Sequence, residues 1–234
     1  IGSGGGGLPG RKDGTSLMSD PVRIEVYSDV VCPWCYVGKR RLERALAQLH
    51  ETRAEVAWRP FQLNPTMATD GMDRTAYVEA KFGSLDAFRR IEEQVAAAGA
   101  SERISFAFDM ILRTPNTFLA HRLIWYAGQY GRQNAVVDTL FKGYFEEGAD
   151  IGSASVLAGL AESAGIDAAH VLQSDEGTAE VKAEEAAGRR LGIRAVPYFV
   201  LNNRFGISGA QPVEVFLGAI EHLRAGQAEG LPNG

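Results

Sequence analysis

The chain has 234 residues, 45% of them hydrophobic, 9% aromatic and 23% charged, a globular composition that excludes disorder, collagen and a disulfide-stapled scaffold. Its 24 Lys+Arg against 29 Asp+Glu give a formal net charge of −5, which argues against nucleic acid as the main partner, because phosphate binding needs a concentrated basic face. No uncharged apolar run approaches the roughly 18 residues of a membrane span, and Cys32 and Cys35, the two cysteines, lie too close together to staple a secreted domain, so any disulfide between them is chemical in purpose.

In chain order, residues 1–20 are Gly-rich without periodicity and read as a disordered cloning remnant, with Met18 as the expected native start. No secretory signal precedes Pro21, which makes a cytoplasmic location the expectation. Val22–Tyr27 alternates apolar and polar residues and predicts a strand, closed by a turn at Ser28-Asp29. From Trp34 to about His50 the period becomes helical, with Leu42, Ala45, Leu46 and Leu49 on one face. Lys39, Arg40, Arg41 and Arg44 read as a solvated face of that helix. Glu55–Phe61 predicts a second strand, so the first part, 21–65, forms a βαβ unit with parallel strands.

Residues 66–190 read as a helical block, with helices over 73–82, 85–98, 116–130, 133–146, 153–165, 168–174 and 177–191 and no internal repeat. Gly99, Gly131, Gly148 and Gly165 stand where helices should stop, and Asn116 stands as a cap. Part 191–225 returns to β: Val196–Leu201 and Arg204–Ser208 predict a hairpin around Asn202-Asn203. A closing helix follows from Gly209 to Arg224 with Val213, Phe216, Leu217 and Ile220 inward, then a polar tail, 226–234. The pattern βαβ…ββα is an α/β class in which the end segments share one small sheet and the block is a large all-helical insertion.

Cys32-Pro33-Trp34-Cys35 sits between the first strand and its helix. A helix N-terminus offers free N–H groups and partial positive charge, so a thiolate at Cys32 is stabilised there, and Pro33 suits the first helical turn. This geometry makes Cys32 the exposed nucleophile and Cys35 the more buried thiol that resolves a mixed disulfide. Structural zinc needs four ligands, and His50, His121, His170 and His222 show no ligand spacing, so no metal is expected. A Cys–His–Asn hydrolase does not call for two cysteines at this spacing, whereas an inert buried pair is the bland alternative to redox chemistry. Val196-Pro197 opens a buried strand with a proline, which fits either a cis bond in a tight turn or a trans proline on an edge strand.

In this order of elements, the Cys-Pro-X-Cys motif and the Val-Pro opening resemble the thioredoxin fold of the DsbA family. Ser28–Lys39, Asn116–Arg122 and Ile207–Pro212 narrow the resemblance to its FrnE-like branch, related to 2-hydroxychromene-2-carboxylate isomerases and kappa-class glutathione transferases. It spans residues 22–224 and implies a cis bond that places Pro197 against the Cys32 sulfur, with the backbone of Val196 offered to an extended peptide or to glutathione. By the same resemblance, Gly209, Ala210 and Gln211, at the start of the last helix, match positions that hold the γ-glutamyl carboxylate, although Ser208-Gly209 reads equally as a turn and cap. This sequence departs from those relatives in three ways. The isomerases and transferases carry Ser where Cys32 stands, and DsbA itself has His where Trp34 stands, which makes the disulfide here less oxidising. Some FrnE-like proteins also carry a second cysteine pair that is missing here.

The expected function is a thiol–disulfide oxidoreductase or isomerase acting on a disulfide-containing protein or a small thiol. No tightly bound cofactor is expected, and glutathione stands as a redox co-substrate. Two other readings remain: a glutathione-dependent isomerase or transferase for a small aromatic or polyketide-like substrate, and a chaperone-like binding module. Pro33, Trp34 and His121 complete the candidate binding residues. His121 either lines the cleft facing Cys32 or packs beside Trp125, and monomer and homodimer stay open.

Overall fold

The computed structural model describes residues 20–50 and 52–228, and the side chains up to residue 225. The readings of residues 1–19 and of the tail from 229 fall outside it. The elements run β1 (Val22–Ser28), α1 (Pro33–Gln48), β2 (Ala54–Pro60), β3 (Met72–Asp73), α2 (Arg74–Phe82), α3 (Leu85–Ser101), β4 (Arg113–Thr114) and α4 (Phe118–Gln129). They continue with α5 (Gln133–Glu147), α6 (Ala154–Ser163), α7 (Ala169–Gln173), α8 (Thr178–Arg190), β5 (Tyr198–Leu201), β6 (Phe205–Ser208) and α9 (Val213–Ala228).

The main sheet has the order β2-β1-β5-β6. β1 and β2 are parallel, with Val26 opposite Trp58, as the crossover through α1 requires. β5 is antiparallel to both β1 and β6, with Phe199 paired to Val26 on one side and to Ile207 on the other. The two ends of the chain therefore build one sheet, and the helical block sits between them in sequence. One apolar core joins the two parts: Ile24, Val26 and Phe199 of the sheet share it with Tyr36 of α1 and Phe141 and Phe145 of α5. Tyr36 and Phe141 stack at 5.0 Å between ring centroids, 6° from parallel. Such a pair adds about 1 kcal/mol to the area it buries. Among the described residues, no helix is long and apolar enough to cross a membrane.

Several expectations are corrected. The basic run of α1 is solvated only at Arg44: Lys39 is 1% exposed, with Nζ 2.5 Å from Glu43 and 2.8 Å from Asp138 of α5. Arg41 and Arg44 both pair with Glu102, whose side chain is 4% exposed. The helical block lies over that face and supplies carboxylates, without which burying an ammonium would cost several kcal/mol. Gly99 does not stop α3 but lies inside its last turn, where a Cβ would come within 2.4 Å of the Phe106 ring. By contrast, Gly131, Gly148 and Gly165 do follow helix ends, with φ of 66°, 67° and 78°. The residue capping α4 is Thr117, although Asn116 Oδ1 accepts from the Phe118 N–H at 2.9 Å. The last helix begins at Val213, not Gly209, and β5 begins at Tyr198, not Val196. The short β3–β4 pair had no sequence signal, because two residues per strand carry no period.

Candidate active site

Cys32 is the residue that caps α1 on its N-terminal side, with an extended backbone (φ −94°, ψ 110°) and Pro33 in the first turn. Its carbonyl accepts from the Cys35 and Tyr36 N–H groups at 3.0 and 3.4 Å, and its own N–H donates to Asp29 O at 3.0 Å. The turn predicted at Ser28-Asp29 is thus what aims the Cys32 sulfur off the helix end. Both cysteines are free thiols. Cys35 is fully buried and Cys32 is 6% exposed, so the expected order holds but the expected openness of Cys32 does not. The segment before β5 covers it: Cys32 Sγ donates to the Val196 carbonyl at 3.7 Å. Trp34 projects between the two cysteines in sequence and is 37% exposed, with half-buried Pro33 beside it.

The Val196–Pro197 peptide bond is cis. Pro197 is buried against α1 at Gly38, where a Cβ would come within 3.0 Å of the proline ring and 3.1 Å of the Phe199 ring. Gly38 is therefore a packing glycine that lets the Val196–Pro197 segment approach the dithiol. Gly209 N–H donates to Pro197 O at 2.8 Å, and Arg41 of α1 reaches Ala210 O at 2.5 Å. Gly209, Ala210 and Gln211 thus lie beside the Pro197 segment, in a turn before α9 rather than at its first turn, and Gly209 has φ 79°. Gln211 is exposed and donates to Ser208 O at 2.8 Å.

His121 belongs to a different place. It is 3% exposed and its Nε2 lies 3.4 Å from Asp29 Oδ1, so it packs beneath the β1–α1 turn rather than lining an open cleft. Asp29 is itself fully buried and accepts from the Leu63 N–H at 2.8 Å. Sequence reasoning gave Asp29 only a turn role and did not single out Arg41. The signal available was position: a carboxylate three residues before the first cysteine has to lie near it.

Burial pushes the Cys35 thiol well above its ordinary value of 9.0, and the Cys32 sulfur adds to the rise. The Ser28 hydroxyl and the Asp29 backbone pull the other way without reversing it. The folded state therefore holds a proton that the unfolded chain releases first as pH rises, so this thiol's contribution to stability is complete below about pH 9 and is lost above it. The reduced protein should lose up to about 1.4 kcal/mol per pH unit above that point relative to the oxidised protein, which has no such thiol. Denaturant titrations of both forms between pH 8 and 10.5 measure this, and parallel curves would contradict it.

Residues 23–221 match the family described as DSBA-like thioredoxin domain. The chain belongs to this family. Among curated relatives, the DSBA-like protein is 29% identical over 203 residues to "Uncharacterized protein YwbO" of Bacillus subtilis (strain 168), covering 85% of this chain and 96% of that one. Among solved structures, the "probable DsbA oxidoreductase SCO1869" of Streptomyces coelicolor matches at 36% identity with a TM-score of 0.79, over 87% of this chain and 90% of that one. The cytosolic disulfide reductase DsbM of Pseudomonas aeruginosa, solved with GSH, shares the fold at 16% identity and a TM-score of 0.60, over 86% of this chain and 99% of that one. The close Cys32–Cys35 pair of this DSBA-like protein fits the dithiol motif of a thiol oxidoreductase family.

Proposed function

We propose that this DSBA-like protein catalyses thiol–disulfide exchange through Cys32 and Cys35. The observation that carries the reading is a reduced pair at the start of α1, one sulfur facing the Val196 carbonyl and the other fully enclosed. Cys32 thiolate attacks a substrate disulfide, and a Cys32–substrate disulfide forms as the first substrate thiolate leaves. Cys35 then loses its proton and attacks the Cys32 sulfur, the intramolecular disulfide closes, and the second substrate thiolate departs with the electron pair. The substrate gains two electrons and the dithiol loses them, and a small-thiol pool such as glutathione restores the reduced form.

Val196 is the substrate's neighbour in this scheme, offering its backbone to an extended segment that lies across Cys32. The Gly209–Gln211 turn, tied to Pro197 O through the Gly209 N–H, lies beside that segment. The Cys35→Ser variant, mixed with oxidised glutathione or a disulfide-containing protein and examined by intact mass, should hold one equivalent of substrate on Cys32. A variant that releases its substrate as fast as the native protein would overturn the assignment of roles.

A further inference from the structure

Arg41 lies three residues beyond Gly38, on the same face of α1. A Cβ at Gly38 would meet Pro197, Phe199 and Ala210. The Arg41 guanidinium is bonded on two sides. Its Nε donates to Glu102 Oε1 at 3.0 Å, and a terminal N–H donates to the Ala210 carbonyl at 2.5 Å. The Arg41 side chain is 18% exposed and that of Glu102 4%. Glu102 follows the last residue of α3, where the helix dipole disfavours a carboxylate, and burial adds to that cost. Arg41 and Arg44 offset both, each taking one carboxylate oxygen.

Arg41 holds the backbone next to the dithiol. Among the described residues, the Gly209–Gln211 turn is tied to segments distant in the chain by two hydrogen bonds: Arg41 to Ala210 O, and Gly209 N–H to Pro197 O at 2.8 Å. Pro197 follows Val196, whose carbonyl faces the Cys32 sulfur. Residues 193–197 belong to no helix or strand, so their placement depends on packing and on such bonds. Contacts therefore run from the helical block through Glu102, Arg41, Ala210, Gly209 and Pro197 to the backbone beside Cys32. A planar guanidinium bonded at two of its nitrogens has a fixed orientation, which an ammonium lacks.

Resting on the exchange reading above, we propose that Arg41 is the positioning residue that sets Val196 for an extended polypeptide substrate. Glu102 aims the guanidinium, the guanidinium holds the turn, and the turn holds Pro197 O through the Gly209 N–H. A segment that pairs with the Val196 backbone then meets a partner already in place, so binding carries less ordering cost. The Arg41 bonds go to Glu102 and Ala210 and to neither sulfur, so a disulfide without peptide groups gains nothing from the tether. The helical block thereby acts on the specificity of a site whose sheet is built from the two ends of the chain.

The test mixes the reduced full-length protein with increasing concentrations of insulin, or of 2-hydroxyethyl disulfide, which has no peptide group to pair with Val196. Closure of the Cys32–Cys35 disulfide is followed by acid quench and intact mass. Arg41→Met should raise the insulin concentration at half-maximal rate about tenfold. The limiting rate, and the rate with 2-hydroxyethyl disulfide, should stay as they are. Glu102→Gln keeps Arg41 but loosens its aim. It should shift the insulin dependence in the same direction, and the double variant should go no further than Arg41→Met. In both single variants the Gly209 amide should exchange with D₂O faster than in the native protein, whereas the amides of β1 should not, a sign that each is folded. Losses of equal size with both disulfides would make Arg41 a purely structural residue and overturn the proposal, as would an unchanged insulin dependence in folded Arg41→Met. If Arg41→Met does not fold, Glu102→Gln carries the same test, and an unchanged insulin dependence there overturns the proposal. A native protein that closes no disulfide with either reagent overturns the exchange reading itself, by a different signature.

Discussion

Cys32→Ser should abolish disulfide exchange, leaving the rate of insulin-disulfide reduction by glutathione at its uncatalysed level. A serine hydroxyl is a poor nucleophile towards sulfur, and no third thiol exists in the chain to replace it. The fold should be nearly unaffected, because serine is close to cysteine in size, the Cys32 sulfur donates one long hydrogen bond, 3.7 Å to Val196 O, and the helix start is held by backbone hydrogen bonds of Asp29, Cys32 and Cys35. Residual catalysis in Cys32→Ser would mean that Cys35 or another group starts the reaction, and the division of labour between the two thiols would fail. The contrast with Cys35→Ser matters here: one variant should never bind the substrate covalently, and the other should never let it go.

The largest effect on stability is expected at Arg122. This side chain on α4 is 6% exposed and is fixed by backbone carbonyls alone: Val171 at 2.7 Å, Glu176 at 2.9 Å and Ser174. These carbonyls belong to α7 and to the turn that leads into α8, so one guanidinium satisfies the C-terminal end of a five-residue helix. Arg122→Met fills much of the space but leaves three acceptors without a donor. The cost should be about 3 kcal/mol, since a hydrogen bond to a charged group contributes roughly 1.5–3 kcal/mol and orphaned acceptors add their desolvation. At about 2–4 °C per kcal/mol for a chain of this size, Tm should fall by roughly 6–12 °C. Thermal unfolding followed by circular dichroism checks this, and a shift below 2 °C would show that water replaces the guanidinium without loss.

The sequence carried most of what positions the dithiol. Alternation in Val22–Tyr27, the helical period after Trp34 and the apolar strand after Pro197 are local signals, and each element formed where its period lies. Cys32 and Cys35 were legible for the same reason, since their spacing and their place at a strand-to-helix turn are properties of one short segment. What stayed hidden depends on partners distant in sequence. Lys39, Arg40 and Arg41 look like a wet helix face until Asp138 and Glu102 arrive from the helical block to cover it. His121 has no local signature of its role, because its partner Asp29 lies on another part of the fold. Gly99 looks like a helix stop because glycine ends helices, whereas here it makes room for Phe106. The start of α9 does have a local cue: Pro212 stands immediately before Val213, where a proline fits the opening of a helix.

In the exchange proposed above, Cys32 and Cys35 form one reversible two-electron couple. Equilibrating the protein with a graded series of reduced and oxidised glutathione, quenching with acid and counting free thiols by intact mass tests it most directly. The protein should show a single two-electron transition between a dithiol and a Cys32–Cys35 disulfide, at a potential within the span of about −120 to −270 mV set by DsbA and thioredoxin. A protein that stays a dithiol across the whole series, or that stops at a stable glutathione adduct on Cys32 without closing the internal disulfide, would contradict it.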